Sequence, residues 1–274
     1  MNASRFARQL LLALCLSVIA AGNFTQAQEY QPQVGQEGKD VVWVPTPQAL
    51  VDKMLDMAKV TPKDYVIDLG SGDGRTVITA AKRGARALGI EYNPDMVELS
   101  KRNAAKEGVG DKAAFVKADL FESDFSQATV ITMFLLPDIN LKLRPKILGL
   151  KPGTRIVSNT FTMEEWAADE TATVSDSCAS WCTALFWIVP AKAEGSWRLP
   201  QGELTLKQTF QMLSGALKSG NQSTPITNGR LSGDQISFSA GGAQYSGRVS
   251  GNAIEGTVKS GAGNSKWSAT RAGR

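Results

Sequence analysis

Five residues at fixed spacing, Asp68, Gly70, Gly72, Gly74 and Glu91, are the part of this 274-residue sequence best suited to chemistry. Two carboxylates close two apolar runs, and three glycines at alternate positions lie between them. Tyr65-Val66-Ile67 has strand-like composition and ends at Asp68. Val77, Ile78, Ala80 and Ala81 give helical apolar spacing up to Gly84, and Ala87 to Ile90 is a second strand-like run ending at Glu91. Strand, glycine turn, helix and strand make one βαβ unit. A dinucleotide fingerprint needs glycines at its first, third and sixth positions. Counted from Gly70, the sixth position is Arg75, so the diphosphate-binding motif fails.

The G-x-G-x-G spacing, preceded by Asp68-Leu69, resembles motif I of the class I S-adenosylmethionine (SAM) methyltransferases. The resemblance implies SAM as cofactor, and the residue types suit it. SAM carries an ammonium and a sulfonium and no diphosphate. Glycines let the backbone approach its methionine part. Asp68 supplies negative charge near the cationic end, directly or through water. Glu91, at the tip of the second strand, can accept both ribose hydroxyls.

Composition narrows the remaining classes. The sequence is 42% hydrophobic and 20% charged, as in ordinary globular proteins, with a net charge of +4. It has no histidine, which removes the commonest general base and the commonest metal ligand. Arg5 and Arg8 followed by an apolar run from Leu10 to Ala21 predict a signal peptide over residues 1–27, with cleavage after Ala27. The expected location is therefore outside the cytoplasm, by export to the periplasm; the alternative is an uncleaved membrane anchor over residues 10–22. Without residues 1–27 the net charge is 30 − 2 − 26 = +2, too weak to argue for nucleic acid. Cys178 and Cys182 then remain, as a local disulfide or two thiols; with no histidine and no further cysteine they cannot complete a zinc site.

The elements that must position the five residues follow in order. Residues 28–45 are expected to be a lead-in, flexible over Gln28 to Asp40, and a methyltransferase domain is expected over residues 46–192. Val44-Pro45-Thr46-Pro47 precedes a helix with Leu50, Met54, Leu55 and Ala58 at core spacing, and reads as a lid over the cofactor or as a simple helix entry. Asn93-Pro94 starts a second helix. A third strand, Lys112 to Ala118, ends at Asp119, which faces the adenine amino group or caps a following helix. A fourth runs from Ala128 to Phe134, a helix from about Ile139 to Leu148, and a fifth strand from Arg155 to Ser158. This alternation predicts five βα units in an α/β, Rossmann-like doubly wound sheet. Thr171 to Val174 and Ala184 to Val189 can add two last strands. Beyond about Ala193 glycine, serine, asparagine and threonine dominate. GRLSGDQISF from Gly229 and GRVSGNAIEG from Gly247 repeat with an offset of 18 residues. They predict Gly-Asp and Gly-Asn hairpins in a C-terminal antiparallel β-meander of five or six strands over residues 193–274.

The run from Val44 through Pro94, then Asp119-Leu120-Phe121, Phe134-Leu135-Leu136-Pro137 and LKPGTRIVSNTF, resembles the lysine methyltransferases that act on adenine nucleotide translocase and the ATP synthase c-ring protein, and their bacterial relatives. The resemblance covers roughly residues 41–190 and implies a protein lysine as acceptor. It implies a cofactor set of Thr46, Asp68, Gly70, Ser71, Gly72, Gly74, Glu91, Tyr92, Asp119 and Leu120. It implies an acceptor pocket with Phe134, Pro137 and Asn159, and Phe161 and Trp166 as a further wall. Two alternatives stay open: a small-molecule acceptor, or a non-catalytic SAM-fold protein whose β module binds an envelope partner.

Overall fold

Short runs in which nearly every residue is apolar cannot face water on either side, and they build the centre of a sheet. The computed structural model describes residues 30–273. The predicted signal peptide lies outside the described residues. Strands β1 (Tyr65–Leu69), β2 (Arg86–Glu91), β3 (Ala113–Lys117), β4 (Val130–Met133) and β5 (Arg155–Asn159) run parallel. β7 (Thr183–Ile188) pairs antiparallel with β5, and β6 (Glu170–Thr173) antiparallel with β7. The order β3-β2-β1-β4-β5-β7-β6 reverses direction between β1 and β4. Ligands in open α/β sheets bind outside the carboxyl ends of the strands at such a switch point.

Among the described residues four helices cover the sheet: α1 (Gln48–Met57), α2 (Arg75–Lys82), α3 (Pro94–Lys106) and α4 (Pro137–Ile147). α3 starts as its sequence dictates. Asn93 accepts from the Asp95 amide at 2.9 Å, Pro94 occupies the first turn, and Asp95 complements the helix dipole. α1, α2 and α3 bury one face of the sheet through residues such as Leu50, Val77 and Val97; α4 buries the other through Ile139, Leu143 and Ile147. The expectation of five βα units is corrected. Among the described residues no helix follows β3 or β5, and residues 118–129 and 160–169 cross as turns. Both loops carry turn-forming Asp, Ser or Thr side chains in place of an apolar helical stripe.

The C-terminal part exceeds the expected five or six strands. Nine strands, β8 (Gly195–Leu199), β9 (Gly202–Thr209), β10 (Met212–Ser219), β11 (Gln222–Pro225), β12 (Thr227–Ser232), β13 (Gln235–Ala240), β14 (Ala243–Ser250), β15 (Ala253–Ser260) and β16 (Gly263–Arg271), form one antiparallel sheet. Because β9 also pairs with β10, the sheet closes as a barrel, which removes most exposed edge. The Gly233-Asp234 and Gly251-Asn252 turns form the predicted hairpins, each with a positive φ at its glycine. Its core holds Trp197, Leu204, Leu206, Ile254 and Trp267.

Pro32–Arg274 forms one compact unit, with the barrel docked on the sheet. Trp166 stacks on Phe210 at 5.9 Å and 12°, Gln211 donates to the Ala167 carbonyl at 2.8 Å, and Arg230 pairs with Asp169 at 2.5 Å. Trp166 is therefore a docking residue, fully buried, and not the wall of an acceptor pocket. Its sequence neighbourhood, just after the fifth strand, gave no sign of a barrel to pack against.

Candidate cofactor and acceptor site

At the end of β1 the chain turns sharply back on itself. The Gly70 and Ser71 amides donate to the Ile90 carbonyl at 2.9 and 3.1 Å, which ties the turn to the tip of β2. Gly74 caps α2 in left-handed backbone (φ 83°), where a Cβ would lie 2.8 Å from the Phe115 ring. From α3, Ser100 donates to the Gly72 carbonyl at 2.8 Å and Asn103 to the Asp73 carbonyl at 3.0 Å. The loop is thus held from both sides.

The carboxylates are oriented by the same loop. Glu91 accepts from the Gly72 amide through Oε2 and the Asn93 amide through Oε1, each at 2.9 Å. Its remaining lone pairs are left for hydroxyl donors. Asp68 is buried and accepts from the Thr132 hydroxyl at 2.6 Å. Burial pushes its pKa up to about 7; the Thr132 hydrogen bond pulls it back, and the nearby charges of Glu91 and Asp73 push it further up. Such a carboxyl is only partly ionised near neutral pH in the empty site, and a cation beside it would favour the anion.

A strap crosses the mouth of the site. Gly35 donates to the Trp43 carbonyl, Trp43 to the Gln36 carbonyl and Gly38 to the Val41 carbonyl, at 2.8 to 3.0 Å. The flexibility expected over Gln28 to Asp40 is therefore corrected from Gly35 onward: residues 35–43 are a hydrogen-bonded hairpin. Lys39 at its tip reaches Asp119 at 2.5 Å and lies over the Tyr92 ring at 5.2 Å. Their hydrogen bond lowers the Asp119 pKa and raises that of Lys39. Among the described residues no helix begins at Asp119; its other oxygen accepts from the Phe121 amide in a local turn, which corrects the helix-cap alternative. The far end of the strap is pinned where Thr46 receives Arg75 on its carbonyl at 2.9 Å and Asn159 on its hydroxyl at 3.3 Å.

Nine of the ten residues expected to hold the cofactor line one cavity of about 240 Å³; Gly74 lies behind the lining. Phe134 lines it too. Pro137 and Asn159 do not, which corrects their place in the acceptor pocket. Pro137 begins α4, and Asn159, fully buried, braces Thr46 from behind. Phe134, Leu136, Phe161 and Trp181 line the cavity on that side instead. Lys39, Trp43, Arg75 and Trp181 carry no local motif, so sequence reading missed them. The Cys178-x-x-x-Cys182 spacing beside Trp181 was the one available signal, and the two cysteines are disulfide-bonded.

The Gly72 contact gives a first test. Gly72 has φ 53°, and a Cβ there would sit 2.7 Å from Trp43 Nε1. Gly72→Ala is expected to push the strap outward, to weaken SAM binding about tenfold and to cost about 1 kcal/mol of stability. Calorimetric titration and thermal melts read the two effects separately.

The family model for the ANTKMT methyltransferase domain matches residues 68–170. A protein-lysine N-methyltransferase of Saccharolobus islandicus (strain REY15A) is 47% identical over 139 residues, 50% of this chain and 86% of the relative. The adenine nucleotide translocase lysine N-methyltransferase of Mus musculus is 32% identical over 118 residues, 42% of this chain; the match spans only 51% of that relative's length. Among solved structures, an RNA methyltransferase from Salinibacter ruber in complex with S-adenosyl-L-homocysteine superposes with a TM-score of 0.51 at 46% identity, covering 54% of this chain and 95% of that one. The fold of the sheet-bearing half is thus shared with a solved protein named for methyl transfer. The chain belongs to the family of S-adenosylmethionine-dependent methyltransferases that carries the ANTKMT methyltransferase domain.

Proposed function

We propose that the chain transfers the methyl group of SAM to the ε-amine of a protein lysine. One observation carries this reading: the charge of the cavity. Six carboxylates line it (Glu37, Asp40, Asp68, Asp73, Glu91 and Asp119) against two cations, Lys39 and Arg75, both already paired with carboxylates. Such a site attracts a cationic cofactor and a cationic acceptor and repels phosphate. That speaks for an amine over the nucleic acid named for the Salinibacter relative. The lysine acceptors named for the archaeal and mouse relatives agree with it.

In this reading Asp68 faces the cationic end of SAM, Glu91 holds the ribose hydroxyls, and Asp119 accepts from the adenine amino group once Lys39 gives way. The glycines let the methionine part lie against backbone, and the strap excludes water. The lysine ammonium first loses its proton to solvent, a loss that an apolar wall favours by desolvation. The nitrogen lone pair then attacks the methyl carbon in line. A C–N bond forms, the S–CH₃ bond breaks, and its electron pair stays on sulfur as neutral S-adenosylhomocysteine. Holding nitrogen and methyl at about 3 Å in line is the main catalytic task.

We also propose export, with residues 1–27 as the signal peptide. The Cys178–Cys182 disulfide supports an oxidising compartment.

The test is transfer of tritiated methyl from SAM into an extract of the producing cell, split between ribonuclease and protease treatment. Label that survives ribonuclease, is released by protease and appears as methyllysine after acid hydrolysis is expected. Label confined to RNA or to small metabolites would contradict the reading.

A further inference from the structure

Three aromatic rings converge at the acceptor end from three separate elements. Phe134 follows β4, Phe161 follows β5, and Trp181 precedes the antiparallel β7, so the sheet delivers all three to one edge. Ring centroids are 5.8 Å apart for Phe134 and Phe161, 5.9 Å for Phe134 and Trp181, and 5.3 Å for Phe161 and Trp181. All three line the cavity that also holds Asp68, Gly72 and Glu91. Asn140 fixes the Phe161 loop by donating to the Phe161 and Thr162 carbonyls at 3.3 and 3.1 Å.

Trp181 is an unusual third member. Its side chain is 42% exposed in a protein that buries Trp166, Trp187 and Trp197 completely. It sits in left-handed backbone, φ 56°, as does Ser177, φ 59°. Left-handed backbone is uncommon for a bulky side chain and is worth keeping where the position of that side chain matters. The disulfide between Cys178 and Cys182 closes the loop between β6 and β7 directly beside it. Packing alone does not call for a surface indole held by a covalent clasp.

We propose that Trp181, held over Phe134 and Phe161 by the Cys178–Cys182 disulfide, is a specificity-determining residue that receives the cationic side chain of the acceptor lysine. The inference rests on the lysine reading above. Indole and phenyl faces attract an ammonium and pack against its methylene stem. The carboxylate excess beyond them draws the amine inward along the same cavity. A nucleobase would stack on the same rings, but its phosphates would meet the carboxylates.

The test uses the full chain labelled with 5-fluorotryptophan and saturated with S-adenosylhomocysteine. The Trp181 fluorine resonance is assigned by its absence in Trp181→Phe. Probes are Nα-acetyl-lysine methylamide, its norleucine analogue, which has no amine, and uridine monophosphate. A saturable shift with the lysine probe alone is expected. Cys178→Ser/Cys182→Ser, or thiol reduction of the wild type, is expected to weaken it about tenfold. Trp181→Ala is expected to raise KM for the methylated lysine acceptor about tenfold with kcat little changed, and Trp181→Phe to restore most of it. Unaltered S-adenosylhomocysteine affinity in each variant certifies that it is folded. Equal shifts with the norleucine probe would overturn the proposal by making the wall merely apolar. An unchanged lysine affinity after reduction would overturn the role of the disulfide. Undiminished lysine methylation by Trp181→Ala would overturn the proposal and leave the lysine reading standing. A shift with uridine monophosphate alone would overturn both.

Discussion

Asp68→Asn is expected to abolish measurable SAM binding while making the unliganded protein more stable above neutral pH. The side chain is buried, keeps the hydrogen bond from Thr132, and changes only in charge. In the proposed mode of binding Asp68 faces the cationic end of SAM, and losing that charge–charge contact would be worth about 3 kcal/mol, more than a hundredfold in affinity. Stability moves the other way. The folded-state pKa is raised from 3.8 to about 7, so the wild-type carboxyl stays protonated in the fold where it would ionise in the unfolded chain. Its contribution is fully present below pH 3.8 and is lost as pH rises through 7. At pH 8 the difference amounts to at most about 4 kcal/mol. Thermal melts of Asp68→Asn and wild type are therefore expected to converge near pH 4 and to separate in favour of the variant at pH 8. By the same linkage, wild-type affinity for SAM is expected to fall about tenfold per unit as pH drops below 7. Loss of binding without the pH-dependent gain in stability would mean that Asp68 is not the buried anion described.

The second large effect falls on Trp166, away from the chemistry. Its side chain is fully buried and lies against Trp187 at 6.2 Å and Phe210 at 5.9 Å, between sheet and barrel. Trp166→Ala leaves a cavity there and is expected to cost about 3 to 5 kcal/mol, a fall in Tm on the order of 10 °C. Trp166→Phe should cost much less. It keeps a ring between Trp187 and Phe210, and the indole N–H it removes has no hydrogen-bond partner among the described residues. SAM affinity measured well below the melt is expected to stay within about twofold in both variants, because Trp166 lies outside the lining of the cavity. A Trp166→Ala protein as stable as wild type would show that the barrel docks through its polar contacts alone.

The legible parts of the molecule were those in which local pattern and global position agree. The β1 run, the three glycines and the β2 run specify strand, turn, helix and strand within about 30 residues, and Asp68 and Glu91 follow as strand-end carboxylates. The Gly-Asp and Gly-Asn turns announced the hairpins of the barrel for the same reason. What stayed hidden depends on contacts distant in sequence. Lys39 meets Asp119 across 80 positions, and only the closed hairpin of the strap brings them together. Trp181 reaches Phe134 because β7 runs antiparallel beside β5, a matter of topology that periodicity does not encode. Barrel closure rests on the pairing of β9 with β10 and on β8 lying between β16 and β9. Its glycine- and serine-rich strands carry too weak an alternation to be counted from sequence. Asn159 sat where an acceptor residue was expected, but a residue ending a central strand can point behind the cavity as easily as into it.

The central claim is that the cavity over Asp68, Gly72 and Glu91 holds SAM and orients it toward Phe134. Calorimetric titration of SAM into the chain without residues 1–27, beside Asp68→Asn and Glu91→Gln, tests it most directly. Micromolar binding by the wild type at pH 8, weakened more than a hundredfold in the first variant and about tenfold in the second, is the predicted result. Wild-type affinity in Asp68→Asn, or no binding by a folded wild-type chain, would contradict the account.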